Sequence, residues 1–198
     1  MGNTFLPHSP MAVRSSSNAD FHITDFELQP HLVGSLVELR PLKPEDWGAL
    51  FEVASDPLIW EQHPDSERYA EQVFREFFQG ALDSGGAFVA LDRRTQRIIG
   101  SSRYWKYAPE RSEIEIGFTF LARSHWGGKY NGEMKRLMLD HAFKFVNTVV
   151  LVVGVGNMRS RKAVERIGGV LTERRELVDF RGRLIDHVVY EVKKPGLL

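Results

Sequence analysis

Apolar and polar positions alternate over Leu36-Val37-Glu38-Leu39-Arg40, the two-residue period of a half-buried strand. Pro44 then opens a short helix with Trp47, Leu50, Phe51 and Ala54 on one stripe, proline being tolerated where a first-turn N–H has no partner anyway. Asp65 or Ser66 is placed to cap a longer helix to about Leu82, with Tyr69, Val73 and Phe77 facing inward and Gly85-Gly86 ending it. Two strands follow, Ala87 to Leu91 and Arg97 to about Tyr107, joined by the polar turn 92–96. In Glu113 to Phe120 the even positions are apolar, so Glu113, Glu115, Gly117 and Thr119 are expected on one shared face.

After a glycine-rich loop, residues 131–146 read as a helix. Glu133, Arg136, Asp140, Lys144 and Asn147 form its polar strip, and Met134, Leu137, Met138, Ala142 and Phe145 lie opposite. Val149 to Val153 is continuously apolar, as in the middle of a sheet. A short helix from about Arg159 to Ile167 ends at Gly168-Gly169, and two last strands, about 170–179 and 184–192, meet at Phe180-Arg181-Gly182-Arg183. Tightly connected strands pair antiparallel and strand–helix–strand crossovers give parallel pairs. The order therefore predicts an α+β domain: a mixed, mostly antiparallel sheet of about seven strands with helices on both faces.

The 198 residues suit one core: residues 1–20, poor in large apolar side chains, read as a flexible leader, and 21–198 as a single domain. Met11 is an alternative start. Lys plus Arg and Asp plus Glu each total 26, which excludes polyanion binding driven by overall charge. The absence of cysteine excludes disulfides, Cys-ligated zinc and thiol nucleophiles, and the seven histidines show no metal-ligand spacing, so no metal is expected. No apolar run reaches the ~18–20 residues of a membrane span, and the N-terminus has no secretory pattern, so a cytoplasmic protein away from membranes is the expectation.

Three segments could carry chemistry. The loop Trp126-Gly127-Gly128-Lys129-Tyr130-Asn131-Gly132-Glu133 leads into a helix, where free backbone N–H groups favour anions; it reads equally as a loop that needs glycine for its turns. Gly154-Val155-Gly156-Asn157-Met158-Arg159 approaches the dinucleotide fingerprint, but Arg159 replaces the third glycine and too little chain follows for that fold. Asn157-x-x-Ser160 opens the next helix, as a cap or as a site element facing the same strand ends.

Together these segments resemble the GNAT superfamily of N-acetyltransferases, in its branch resembling ribosomal-protein alanine N-acetyltransferases, over about residues 32–192. The resemblance rests on Leu39-Arg40-Pro41-Leu42 with Glu45-Asp46, on Glu115-Ile116-Gly117-Phe118, on Trp126-Gly127-Gly128-Lys129-Tyr130, and on Asn157-x-Arg159-Ser160-x-x-Ala163 running to Gly168. It implies a splay between the fourth and fifth strands that receives acetyl-CoA as cosubstrate, with no metal. The pyrophosphate would then rest on the N–H groups of about Gly128 to Gly132, and Trp126, Gly127, Lys129, Tyr130 and Asn131 complete the cofactor-binding stretch. Asn157 would bond the pantetheine arm and the Phe118 N–H the developing oxyanion; Arg159, Arg161 and Lys162, in the basic C-terminal stretch, read either as partners of the CoA phosphates or as a solvated helix face. Relatives usually have Gly at the place of Lys129 and Gly or Ala at that of Asn131. A side chain at 129 would crowd the diphosphate if it pointed inward and clamp it if it lay along the surface.

The resemblance implies transfer of an acetyl group to a protein N-terminal amine or a small-molecule amine by direct attack in a ternary complex. An amine with a pKa of about 8–10 must first lose a proton, and a carboxylate in the cleft can take it. Glu115 is the candidate and Glu113 the second; both also read as solvent-facing strand residues. Ser160 is the candidate acid toward the thiolate; residues 159–167 hold no tyrosine of the kind many relatives use there, which leaves Tyr130 as its substitute. Trp60, Tyr104 and Trp105 are acceptor-pocket or core residues, and His141 a satisfied interior one. The alternatives are a non-catalytic acyl-CoA-binding or regulatory domain of the same fold, and a nucleic-acid module on the basic C-terminal third. The first reading expects no nucleic acid and leaves the oligomeric state open, a homodimer included.

Overall fold

The computed structural model describes residues 26–196, so the expected leader at 1–20 and the alternative start at Met11 lie outside the described residues. Strands β1 (Leu32–Val33), β2 (Val37–Pro41), β3 (Ala87–Asp92), β4 (Ile98–Ala108), β5 (Glu113–Leu121), β6 (Thr148–Gly154), β7 (Val170–Phe180) and β8 (Arg183–Lys193) form one sheet in the order β1-β2-β3-β4-β5-β6-β8-β7. Every neighbouring pair is antiparallel except β5 and β6, which the crossover helix makes parallel. Eight strands replace the expected seven because β1 adds Leu32 opposite Leu39; two residues are too short to show a period. The fourth and fifth strands of the sequence reading are therefore β5 and β6.

Helices α1 (Trp47–Ala54) and α2 (Glu71–Asp83) cover one face of the sheet, burying Leu50, Phe74 and Phe78 against Val89 and Phe120. Helices α3 (Lys129–Ala142) and α4 (Met158–Arg166) cover the other, where Met134, Met138 and Val164 meet Ile114, Ile116 and Leu151. No helix is long and apolar enough to cross a membrane among the described residues.

Three local expectations change. The chain makes a 3₁₀ turn at Ser66–Tyr69 and is extended at Ala70 (ψ 133°), so α2 begins at Glu71 rather than at Asp65 or Ser66. That break takes Tyr69 off the helix to 42% exposure and turns Phe74, Phe78 and Ala81 inward, leaving Phe77 at the core's edge. Helix α3 starts two residues early and stops at Ala142, well short of residue 146. Its Glu133 is not part of a solvated strip. The carboxylate accepts the Ser35, Leu36 and Val37 amides at 3.0, 2.6 and 2.8 Å and the Ser35 hydroxyl at 2.5 Å, tying the start of β2 to α3.

The third change sits in β5. Ser101 pairs with Phe120 but Arg103 with Gly117, so two residues, Phe118 and Thr119, oppose Ser102 alone. This is a β-bulge, with Phe118 in the left-handed region at φ 55°. It reverses the alternation: Glu113, Glu115 and Gly117 keep the α2 face, whereas Thr119 turns to α3, where it receives the Lys135 ammonium. The shared face expected for Glu113 to Thr119 therefore ends at Gly117.

Candidate active site

β5 and β6 pair only through Glu113↔Thr148, Ile114↔Val149 and Glu115↔Val150. Beyond that point β5 stays paired with β4 to Leu121, and β6 with β8 to Gly154, so each strand follows its outer neighbour and a gap opens between them. A cleft of about 340 Å³ fills the gap, walled by Ile116 to Leu121 and by Leu151 to Gly154. Its inner edges carry main-chain N–H and C=O groups without a β5–β6 partner, the hydrogen-bonding surface an extended ligand needs.

One mouth of the cleft is the start of α3. Gly127 and Gly128 hold φ values of 98° and 101°, open only to glycine without strain. They bring the start of α3 to the cleft wall, and a helix N-terminus favours negative charge. Within the cleft wall the fold brings together Phe118, Trp126, Gly127, Gly128, Asn131, Asn157, Arg159 and Ser160 of the residues expected from sequence.

Three other expected residues are placed differently. Lys129 is exposed at the first position of α3, outside the wall. The Tyr130 hydroxyl is spent on Asp92 at 2.9 Å. The Gly132 amide donates to the Gly128 carbonyl at 2.7 Å, inside the helix, and so is not free for an anion. Arg159 is in the wall, but its Nη2 donates to the Ile59 carbonyl at 2.6 Å and its guanidinium lies 4.3 Å over Trp126, so it bridges the rims. Arg166, which the sequence reading passed over, brings its Nη1 to 4.0 Å from where a Cβ on Gly128 would stand.

Asn157 is buried and caps α4, its Oδ1 accepting the Ser160 amide at 3.1 Å. That cap fixes the first turn of α4, with Ser160, in the wall of the cleft.

Glu115 lies where the pairing ends, 8% exposed, its Oε1 3.0 Å from a Cβ built on Gly117. Burial pushes its carboxyl up to about 7, against the pull of Lys106, whose Nζ is 3.8 Å away. Glu113, the second candidate, is occupied: Arg174 grips both of its oxygens at 2.9 and 3.3 Å. On the opposite face of β5, Lys135 is 5% exposed and donates to Ser102 Oγ at 3.1 Å and Thr119 Oγ1 at 2.5 Å. Burial brings its ammonium down to about 7, with no carboxylate in contact among the described residues. Nothing local in the sequence marks Lys135, which sits between Met134 and Arg136 in the ordinary amphipathic pattern of α3.

Trp60 joins the wall and anchors its indole N–H on the Ala54 carbonyl at 2.7 Å. Tyr104 is core, its hydroxyl donating to the Met138 carbonyl, and Trp105 stays half-exposed beside Phe118. His141 Nε2 donates to the Glu27 carbonyl at 2.8 Å, the satisfied interior role expected for it. Arg68, Arg103, His63 and His187 border the α2 side of the site and were not singled out from sequence; they converge from segments far apart in the chain.

Comparison with known proteins gives a consistent picture. A family model described as an acetyltransferase (GNAT) domain matches residues 37–170. An uncharacterized N-acetyltransferase of Bacillus subtilis, YnaD, is 24% identical over 140 residues, covering 70% of this chain and 81% of its own. A solved acetyltransferase of the GNAT family from Chromobacterium violaceum superposes with a TM-score of 0.75 at 20% identity, covering 97% of both chains. Mycobacterium smegmatis RimJ, solved in complex with CoA-disulfide, superposes with a TM-score of 0.62 at 20% identity, covering 81% of this chain and 83% of its own. At these identities the structural likeness speaks for the fold.

Proposed function

The chain belongs to the GNAT acetyltransferase family, and from that premise we propose that it moves an acetyl group from acetyl-CoA to an amine, with donor and acceptor held in one ternary complex. The observation that carries this reading is the end of β5–β6 pairing at Glu115. It leaves a slot between two strands, with an anion-favouring helix start at one mouth; the buried Glu115 carboxyl belongs to the residue just before Ile116, where the wall begins, and is not itself a wall residue. RimJ, a neighbour of the same fold, was solved with a CoA derivative, which supports the choice of carrier.

In this reading the unpaired edges of β5 and β6 bond the amides of the pantetheine arm. The free amides that open α3 cradle the diphosphate, with the Arg166 guanidinium beside Gly128. Lys129, exposed, clamps from the surface rather than crowding the slot. Acetyl-CoA supplies the activated carbonyl; the chain supplies placement and proton transfer. The bulge sets the Phe118 N–H apart from the regular ladder, as a donor for the carbonyl oxygen where charge develops. Glu115, tuned to about 7, takes the proton of the incoming amine at neutral pH. Ser160 donates to the departing thiolate.

Native mass spectrometry of the purified protein tests the carrier, and thiol release from acetyl-CoA with a panel of amines tests the reaction. Co-purifying CoA and amine-dependent release support the proposal. Saturable CoA binding with no transfer to any amine would instead favour the non-catalytic reading, and indifference to CoA would sink both.

A further inference from the structure

Two guanidinium groups stand side by side on the α2 face, where the acceptor must approach Glu115. Arg68, from the 3₁₀ turn before α2, is 7% exposed and forms part of the cleft wall. Its Cζ lies 4.6 Å from the Phe77 ring centroid and 5.8 Å from that of Phe180, at the tip of the β7–β8 hairpin. Arg103, from β4, is 5% exposed; its Cζ lies 5.5 Å from the same Phe77 ring and 4.1 Å from Phe118. The two cations thus share an aromatic ring beside the bulge.

Among the described residues one carboxylate, Asp65, is ion-paired with Arg68 and none with Arg103, while Arg181 nearby is paired with Glu67 at 2.9 Å. Asp65 accepts from Arg68 Nε at 3.2 Å but also lies 3.9 Å from Arg181. Arg103 donates through Nη1 to the neutral Gly80 carbonyl at 3.2 Å, and its buried Nε has no hydrogen-bond partner among the described residues. Glu115, the remaining carboxylate near Arg103, is held partly protonated at neutral pH by its burial. His63, whose Nδ1 accepts the Asp65 amide, is kept uncharged first by burial and then by Arg68. Burial brings both guanidiniums down to about 10, with their mutual repulsion a further cause for Arg103.

A cationic wall is a poor partner for an amine, which arrives as an ammonium ion. The repulsion is removed if the same molecule brings an anion, and a guanidinium in a water-poor wall is suited to a carboxylate, which it can grip through two N–H groups. We propose that the acceptor is an amine bearing a carboxylate, that Arg68 binds this carboxylate at the cleft wall with Arg103 behind it, and that the amine is thereby turned toward Glu115. The proposal rests on the acetyl-transfer reading in taking this ligand to be the acceptor.

The test uses β-alanine, γ-aminobutyrate and L-glutamate, each beside its carboxamide, with propylamine as the amine lacking any acid. The dipeptides Ala-Glu and Ala-Gln separate a peptide N-terminus from a free amino acid. Calorimetric binding to the CoA-saturated full chain and thiol release from acetyl-CoA are read separately. At least one acid should bind about 10- to 100-fold more tightly than its amide, the range of a hydrogen bond between charged groups. Arg68→Met should erase that preference, acid and amide then binding alike, and Arg68→Lys should keep part of it. Should Arg68→Met not fold, competition of malonate against the tightest acid in the unaltered protein gives the same answer. Equal binding of every acid and its amide, or no binding of any acid, overturns the proposal. Thiol release without acid preference would leave the transfer reading standing and remove the carboxylate site. Acid preference without thiol release would do the reverse.

Discussion

Lys135 and Thr119 are joined by a 2.5 Å hydrogen bond that fastens the buried face of α3 to the bulge in β5. Glu115 sits on the other face of the same strand, before the bulge. Two ionisable groups, each moved by burial to about 7, thus flank the point where the sheet opens. A low-dielectric site that disfavours charge raises an acid and lowers a base, so one environment accounts for both shifts.

Glu115 should set the acidic limb of the pH–rate profile. The carboxyl must be ionised to accept a proton, so kcat/KM should rise with pH through about 7 and level above it. Glu115→Gln should remove that limb and lower kcat by about 10²- to 10⁴-fold with CoA affinity unchanged. Initial rates from pH 5.5 to 9 check both, and an unaltered profile in the variant would take Glu115 out of the reaction.

Lys135 should make stability depend on pH, as a lysine unshifted by folding does not. Its folded value, about 7, lies below the ordinary lysine value of 10.5, so the unfolded chain binds more protons between those limits. Stability should therefore rise with pH from about 7 toward 10. Lys135→Met removes the buried amine while the 2.8 Å contact between Ser102 and Thr119 persists. The variant should melt higher than the parent at pH 6–8, and the difference should shrink toward pH 10. Thermal melts at three pH values decide it; a constant difference would refute the assignment.

Glu133 should contribute stability that acid removes. Hydrogen bonds from Ser35, Leu36 and Val37 outweigh its burial and hold its carboxyl at about 2, below the ordinary glutamate value of 4.5. A group lowered in this way stabilises fully above the unfolded value and loses its contribution as pH falls toward the folded one. Glu133→Ala strands those amides and should cost about 3 kcal/mol at neutral pH. Urea titrations at pH 7 and pH 3 should show the gap between variant and parent narrowing in acid.

Two glycines of the same segment should respond in opposite directions. Gly128 has φ 101°, and a valine there meets backbone strain as well as the Arg166 guanidinium at the cleft mouth. Gly128→Val should weaken CoA binding by at least tenfold, by the separation of helix amides from phosphate. Gly132 lies inside α3 with nothing within 4 Å of an added Cβ, so Gly132→Ala should stabilise by about 1 kcal/mol and leave CoA binding alone. Equilibrium CoA titrations of the two variants check the contrast.

Much of this molecule is written locally. The alternation around Glu115, the unbroken apolar run of β6 and the amphipathic stripe of α3 fix element types, because side-chain period and backbone geometry are set within a few residues. The glycine pair before α3 and the Asn157 cap likewise announce helix starts facing one cleft. Tertiary structure alone decided the rest. Whether Thr119 faces α2 or α3 depends on a bulge that exists only against β4. Glu113 proved occupied because Arg174 arrives from 61 residues away, and Glu133 proved structural because the start of β2 lies 96 to 98 residues from it. The burial that tunes Glu115 and Lys135, and the meeting of Arg68 with Arg103 over Phe77, likewise arise from segments distant in the chain. Periodicity along a chain records which way a side chain points within its own element, but the charge and dielectric it meets there are supplied by neighbours that only folding brings close.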